Sequence, residues 1–175
     1  VSSSVVRPKA RPRRLLANWR GGRVNGYPSP DTHKMDAVIE FTAVGEVSLI
    51  NNQLSSEEVL YLKGHRDYYA NYRKWTDIAI LLINRELKQR GLMVVANTRK
   101  TLKVAVKDAE TEVGWIQVKT RIVMQVETGS GYTKEFIGRN HAGEAAIIPR
   151  QTDGALMRAV AAMLNDAEVI RYLTE

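Results

Sequence analysis

Residues 115–127 read WIQVKTRIVMQVE. Ile116, Val118, Thr120, Ile122, Met124 and Val126 fall on one side of this segment. Gln117, Lys119, Arg121, Val123, Gln125 and Glu127 fall on the other. A period of two sustained this long marks a strand with one buried face, the usual pattern of an antiparallel sheet. Thr128-Gly129-Ser130-Gly131 supplies a short turn, and residues 132–142 return as the partner strand of a hairpin. Just upstream, Leu102, Val104 and Val106 alternate with Lys103, Ala105 and Lys107, which adds another strand.

Helical periodicity brackets these strands. Trp75, Ile78, Ala79 and Leu82 recur at three- and four-residue spacing, with Leu81 and Leu87 on an adjacent face. This predicts a helix over 75–90, supported by the pair Glu86 and Arg90 four residues apart. Gly91 followed by Leu92 suits a Schellman-type ending that turns the chain into an extended segment through Val94. Near the end, Leu156, Ala159, Val160, Met163 and Leu164 form a second stripe, with Thr152 or Asp153 as its cap. Asp166 then caps a terminal turn carrying Val169, Ile170, Tyr172 and Leu173.

The first half is less regular. Ile39, Phe41, Val47 and Leu49 keep a strand period across residues 37–50, with Gly45 as a bend. Ser55-Ser56-Glu57-Glu58 resembles a helix start, so a loop or short helix stopped by Gly64 is expected, then a loop over 65–75 that runs into the next helix. The sum is an α+β fold: a mainly antiparallel sheet with two main helices packed on one face. Residues 1–36 read as a Pro-, Gly- and Ser-rich N-terminal arm, and 37–175 as a single domain.

The charge divides along the same line. The 175 residues carry 26 Lys+Arg and 19 Asp+Glu, a net charge of +7. Arg7, Lys9, Arg11, Arg13, Arg14, Arg20 and Arg23 lie in the first 25 residues without one acid among them, so the remainder is neutral. Such an arm suits an anionic partner, whether lipid head groups, nucleic acid or an acidic protein; a solvated tether is the plainer reading. No stretch reaches the roughly 18 consecutive apolar residues of a membrane-spanning helix. No signal peptide is visible, and the start at Val1 leads us to expect an upstream segment.

Catalytic patterns are missing from the sequence. The absence of Cys excludes disulfides, thiolate zinc sites and a cysteine nucleophile. His33, His65 and His141 have no metal-ligand spacing, and Gly129-Ser130-Gly131 joins two strands rather than cradling a phosphate at a helix start. Glu57/Glu58 and Glu110/Glu112 read as surface acids. We therefore expect no enzyme, no metal and no cofactor. The one cluster with interaction chemistry is Tyr68, Tyr69, Tyr72 and Trp75, interleaved with Arg66, Arg73 and Lys74. Trp75 fits the core stripe. Arg66, Tyr68, Tyr69 and Arg73 are the candidate partner-binding residues.

From about residue 75 to the C-terminus the chain resembles the YajG-type family of small bacterial outer-membrane lipoproteins of unassigned function. The carriers are Leu87-Lys88-Gln89-Arg90-Gly91-Leu92-Met93-Val94, the strand Thr101–Val106, the long strand from Trp115, and the tail from Leu156 through Asp166 to Leu173. The resemblance implies a periplasmic envelope protein, lipid-anchored through an acylated Cys. This chain has no Cys, so on that reading the anchor lies upstream of Val1 and residues 1–36 form the tether. The expectation is a non-enzymatic envelope accessory module with a protein partner, whose arm meets an anionic membrane surface and whose open sheet edge could accept a partner strand. The alternative is a nucleic-acid-binding protein that uses the arm, although the neutral body shows no RNA-binding strand signature, GXXG loop or Arg-rich recognition helix.

Overall fold

The computed structural model describes residues 22–29, 35, 38–63, 66–115, 117–142 and 148–175. Their elements are β1 (Arg23–Asn25), β2 (Gly45–Asn51), β3 (Glu58–Leu62), β4 (Asp67–Asn71), α1 (Tyr72–Gln89), β5 (Leu92–Val94), β6 (Thr101–Val113), β7 (Val118–Thr128), β8 (Thr133–Ala142), α2 (Ile148–Leu164) and α3 (Ala167–Thr174). The class is α+β, with strands in two sheets.

The alternating segment becomes β7, the second-to-last strand of a five-stranded sheet ordered β5-β2-β6-β7-β8. Both of its ladders are antiparallel, and Met124 lies opposite Val106 on one side and Phe136 on the other. At the far side, β2 pairs parallel with both β6 and β5. A parallel pair needs a long connection. The chain between β2 and β5 provides it by building β3, β4 and α1. One face of the sheet is apolar: Leu102, Val104, Val106, Ile122, Met124, Val126 and Phe136 are buried. Helix α1 covers β2, β5 and β6, α2 covers β7 and β8, and the two helices touch over this face. Lys119, Glu110, Glu112, Arg139 and His141 lie exposed on the opposite face.

β6 runs through Val113, beyond the expected end near Val106. Alternation breaks because the register slips between Val106 and Asp108, a β-bulge. Helix α1 meets the backbone groups on either side of this irregularity. The Val106 N–H donates to Thr76 Oγ1 (2.9 Å) and the Ala109 N–H to Tyr72 Oη (3.0 Å). From the other side, Gln53 Nε2 donates to the Val106 carbonyl (2.7 Å). Buried backbone groups need partners, so the bulge fixes where α1 sits.

Helix α1 begins at Tyr72, inside the expected loop, because Asn71 caps it by accepting from the Lys74 N–H (3.0 Å). Its buried stripe is Trp75, Ala79, Leu82, Ile83 and Leu87, and Leu81 faces solvent. The expected Glu86–Arg90 pair forms at 2.9 Å. Gly91 has φ +94°, the left-handed conformation of such an ending, and Leu92 is buried behind it. Helix α2 starts at Ile148, with Pro149 in its first turn, so Thr152 and Asp153 lie inside the helix and are buried rather than capping it.

A second sheet, ordered β1-β4-β3, corrects two expectations. Residues 58–62 are strand, not helix: the run Val59-Leu60-Tyr61-Leu62 is too short for a stable helix, and β4 offers it a partner. Most of the expected loop over 65–75 is strand β4 followed by the start of α1. Strand β1 lies within the segment read as the basic arm and pairs parallel with β4. The Trp75 Nε1–H donates to the Gly26 carbonyl (2.8 Å), which ties the following residues to α1.

Candidate functional site

The small sheet gathers most of the interaction chemistry seen in the sequence. In β4, alternation sends Tyr68 and Ala70 to one side and Asp67 and Tyr69 to the other. Tyr68 packs on the core, with its ring 6.2 Å from Tyr61 in an edge-on arrangement. Tyr61 is 5.2 Å from Trp75, and Tyr72 is 6.3 Å from the same indole. The aromatic run thus splits: Tyr61, Tyr68, Tyr72 and Trp75 knit the small sheet to α1, and Tyr69 is left on the outer face. Burial pushes the Tyr61 hydroxyl far above the ordinary phenol range, which keeps it neutral.

On that outer face the Arg23 guanidinium lies 4.2 Å from the centroid of the Tyr69 ring and forms an ion pair with Glu58. A similar pairing stands nearby in sequence: Lys74 lies 5.0 Å over the Tyr27 ring and donates to its hydroxyl (3.2 Å). Leu60 is the cross-strand partner of Tyr69 and is 42% exposed. Val59 and Leu54 are exposed as well. Among the described residues, strand β3 is an edge of its sheet and pairs on one side only, with β4. A register shift between Leu60 and Leu62 leaves Tyr61 unpaired and turns both Tyr61 and Leu62 into the core, while Val59 and Leu60 stay outside. The surface is therefore a short apolar edge with a stacked cation and ring beside it.

The candidate residues do not share one place. Tyr69 is at the centre of this surface. Arg66 is exposed just before β4 and Arg73 is exposed in the first turn of α1, so the two arginines stand at opposite ends of a five-residue strand. Tyr68 is half-buried beneath the sheet. Of the basic arm, Arg23 belongs to β1; Arg7, Lys9, Arg11, Arg13, Arg14 and Arg20 lie outside the described residues, as do His33 and His65. His141 is exposed on β8, opposite Lys119. Sequence reading missed Val59, Leu60 and Tyr27. The available signal for Val59 and Leu60 was length, since an apolar run of four residues closed by Gly64 suits a strand better than a helix.

These features define an α+β fold in which, among the described residues, one sheet edge is unpaired and stands beside an aromatic–cationic surface. No family model and no curated protein matches the chain. Its backbone is similar to the crystal structure of a Xanthomonas campestris protein described under the family model DUF330, with a TM-score of 0.49 and 11% sequence identity. The match covers 81% of this chain and 90% of that one.

Proposed function

We propose that this chain is a non-enzymatic accessory domain of the bacterial cell envelope that binds a protein partner through the edge of its small sheet. The observation that carries the binding reading is the exposed edge of β3, where Val59 and Leu60 adjoin the Arg23–Tyr69 stack. A partner strand would complete the ladder, which supplies affinity, and Leu60 and Tyr69 would select its side chains. The envelope assignment rests on the YajG-type resemblance of residues 75–175, with the basic arm meeting an anionic membrane surface. The charge pattern supports a protein partner over nucleic acid: the body is neutral overall, and several of its cations pair with acids, as in Lys103–Glu127 and Arg121–Asp108.

A photo-crosslinking residue at position 60 or 69, introduced in living cells, tests this. The reading expects one discrete protein adduct from both positions, recovered in the envelope fraction, and none from position 103 on the main sheet. Adducts spread over many proteins, or a product confined to the cytosol, would overturn it.

A further inference from the structure

The β6–β7 hairpin ends in an unusual tip. Val113 and Val118 form the last pair of the ladder, and the Gly114 N–H donates to the Gln117 carbonyl (2.9 Å) to close the turn. Trp115 stands at the apex, fully exposed, and Val113 beside it is 51% exposed. An indole is among the costliest side chains to leave in water. Behind the tip, two cross-strand rows cross the open face of the sheet. Glu112, Lys119 and His141 form the first, and Glu110, Arg121 and Arg139 the second. The six side chains line one shallow depression. Arg121 is engaged by Asp108 at 2.9 Å.

We propose that this tip docks on the interface of a lipid bilayer, with Trp115 at the level of the head groups. Two observations select that occupant. The first is area. The indole offers at most about 250 Å², and the exposed part of Val113 adds only a fraction of that, so the two stay well short of the roughly 800 Å² per partner of a stable protein interface. A second copy of the chain or a shape-matched protein would need far more contact than this convex tip offers, whereas a fluid bilayer needs no socket. The second is charge. Lys119 and Arg139 stand beside Glu110 and Glu112, so the rows present both signs to match the phosphate and ammonium of a zwitterionic head group. An indole, with an apolar body and one N–H donor, suits that boundary. The contact is weak alone and gains from a second attachment, as paired membrane anchors do. It does not depend on the strand-acceptor reading, because its test contains no protein partner.

The experiment uses the full chain carrying Trp19→Phe, so that emission comes from Trp115 and from Trp75, which is fully buried. The protein is titrated with vesicles of phosphatidylethanolamine and phosphatidylcholine, with and without lipids brominated at shallow acyl positions. The proposal expects a blue shift of emission and quenching by the shallow bromines. Trp115→Ala in the same background abolishes both and weakens vesicle partitioning about tenfold, while Trp115→Phe retains most of the binding. Unchanged emission on adding vesicles, or equal partitioning of Trp115→Ala, overturns the proposal. So does concentration-dependent self-association that Trp115→Ala removes, which would assign the tip to a second copy. Thermal melts of all variants are expected to coincide, because the ring is fully exposed and packs on none of the described residues.

Discussion

Gly138 of β8 lies directly beneath the Ala155 carbonyl of α2: a Cβ at position 138 would overlap that oxygen and crowd the Ala159 nitrogen. The helix backbone approaches the strand this closely because hydrogen is the only side chain between them, with Ala155 and Ala159 as small residues above. Gly138→Ala must therefore push α2 off the sheet. We expect a loss of about 2–3 kcal/mol, the upper part of the range for overpacking a core, read as a lower denaturant midpoint with unchanged slope.

Asp166 joins the end of the chain to the hairpin. Its carboxylate caps α3 by accepting from the Glu168 and Val169 N–H groups (3.1 and 3.2 Å). It also accepts from the Tyr132 hydroxyl (3.1 Å) and the Lys134 ammonium (2.7 Å) next to it on β8. Burial alone would raise its pKa, but Lys134, the Val169 N–H and Tyr132 outweigh burial and hold it below the ordinary value of 3.8. A depressed acid stabilises the fold at pH above its unfolded value, and that contribution fades as pH falls through the folded one. Asp166→Ala should cost about 1 kcal/mol at neutral pH, as lost caps do, and the gap to the parent protein should close as the solution is acidified below 3.8. The hydrogen bond to Asp166 raises the Lys134 pKa, so the same bridge weakens again only at strongly alkaline pH. Melting temperatures of both proteins across the acid range check this.

Trp75→Phe keeps most of the core volume but removes the indole N–H that holds the Gly26 carbonyl. Position 75 is fully buried, so the carbonyl loses its donor where water has little access. We expect a loss of about 1–3 kcal/mol and, more diagnostically, faster hydrogen exchange at the Gly26 amide, which bonds to the Tyr69 carbonyl. Amides of β7 should accelerate only in proportion to the loss of global stability. Equal acceleration at both places would show that β1 is not secured through this contact.

Gly91→Ala tests the turn between α1 and β5. At φ +94° an L side chain is strained, and its Cβ would stand 2.8 Å from the Ala43 carbonyl. A cost of about 1–3 kcal/mol is expected from strain of this kind. Gly91→Asn, whose side chain tolerates left-handed backbone better, should recover part of the strain but not the contact with Ala43.

What the sequence alone determined is what local pattern can carry. The β7–β8 hairpin, the α1 stripe from Trp75 to Leu87, the Gly91 ending and the Asp166 cap each follow from residues within a few positions of one another, where periodicity and capping act. The neutral body with its basic arm is likewise a matter of composition. Tertiary structure decided the remainder. Strand β3 was hidden because Ser55-Ser56-Glu57-Glu58 imitates a helix start and the irregularity at Tyr61 breaks the alternation, and pairing with β4 makes it a strand. The length of β6 was hidden by the bulge near Lys107, whose backbone groups are met by Thr76 and Tyr72 from a helix far away in sequence. The division of the tyrosines is of the same kind: neighbours in the chain, Tyr68 and Tyr69 take opposite faces of β4, and the pairing of β4 with β1 brings Arg23 over one ring and not the other. Ladder partners and faces are set by distant strands, and no local pattern in this chain encodes that choice.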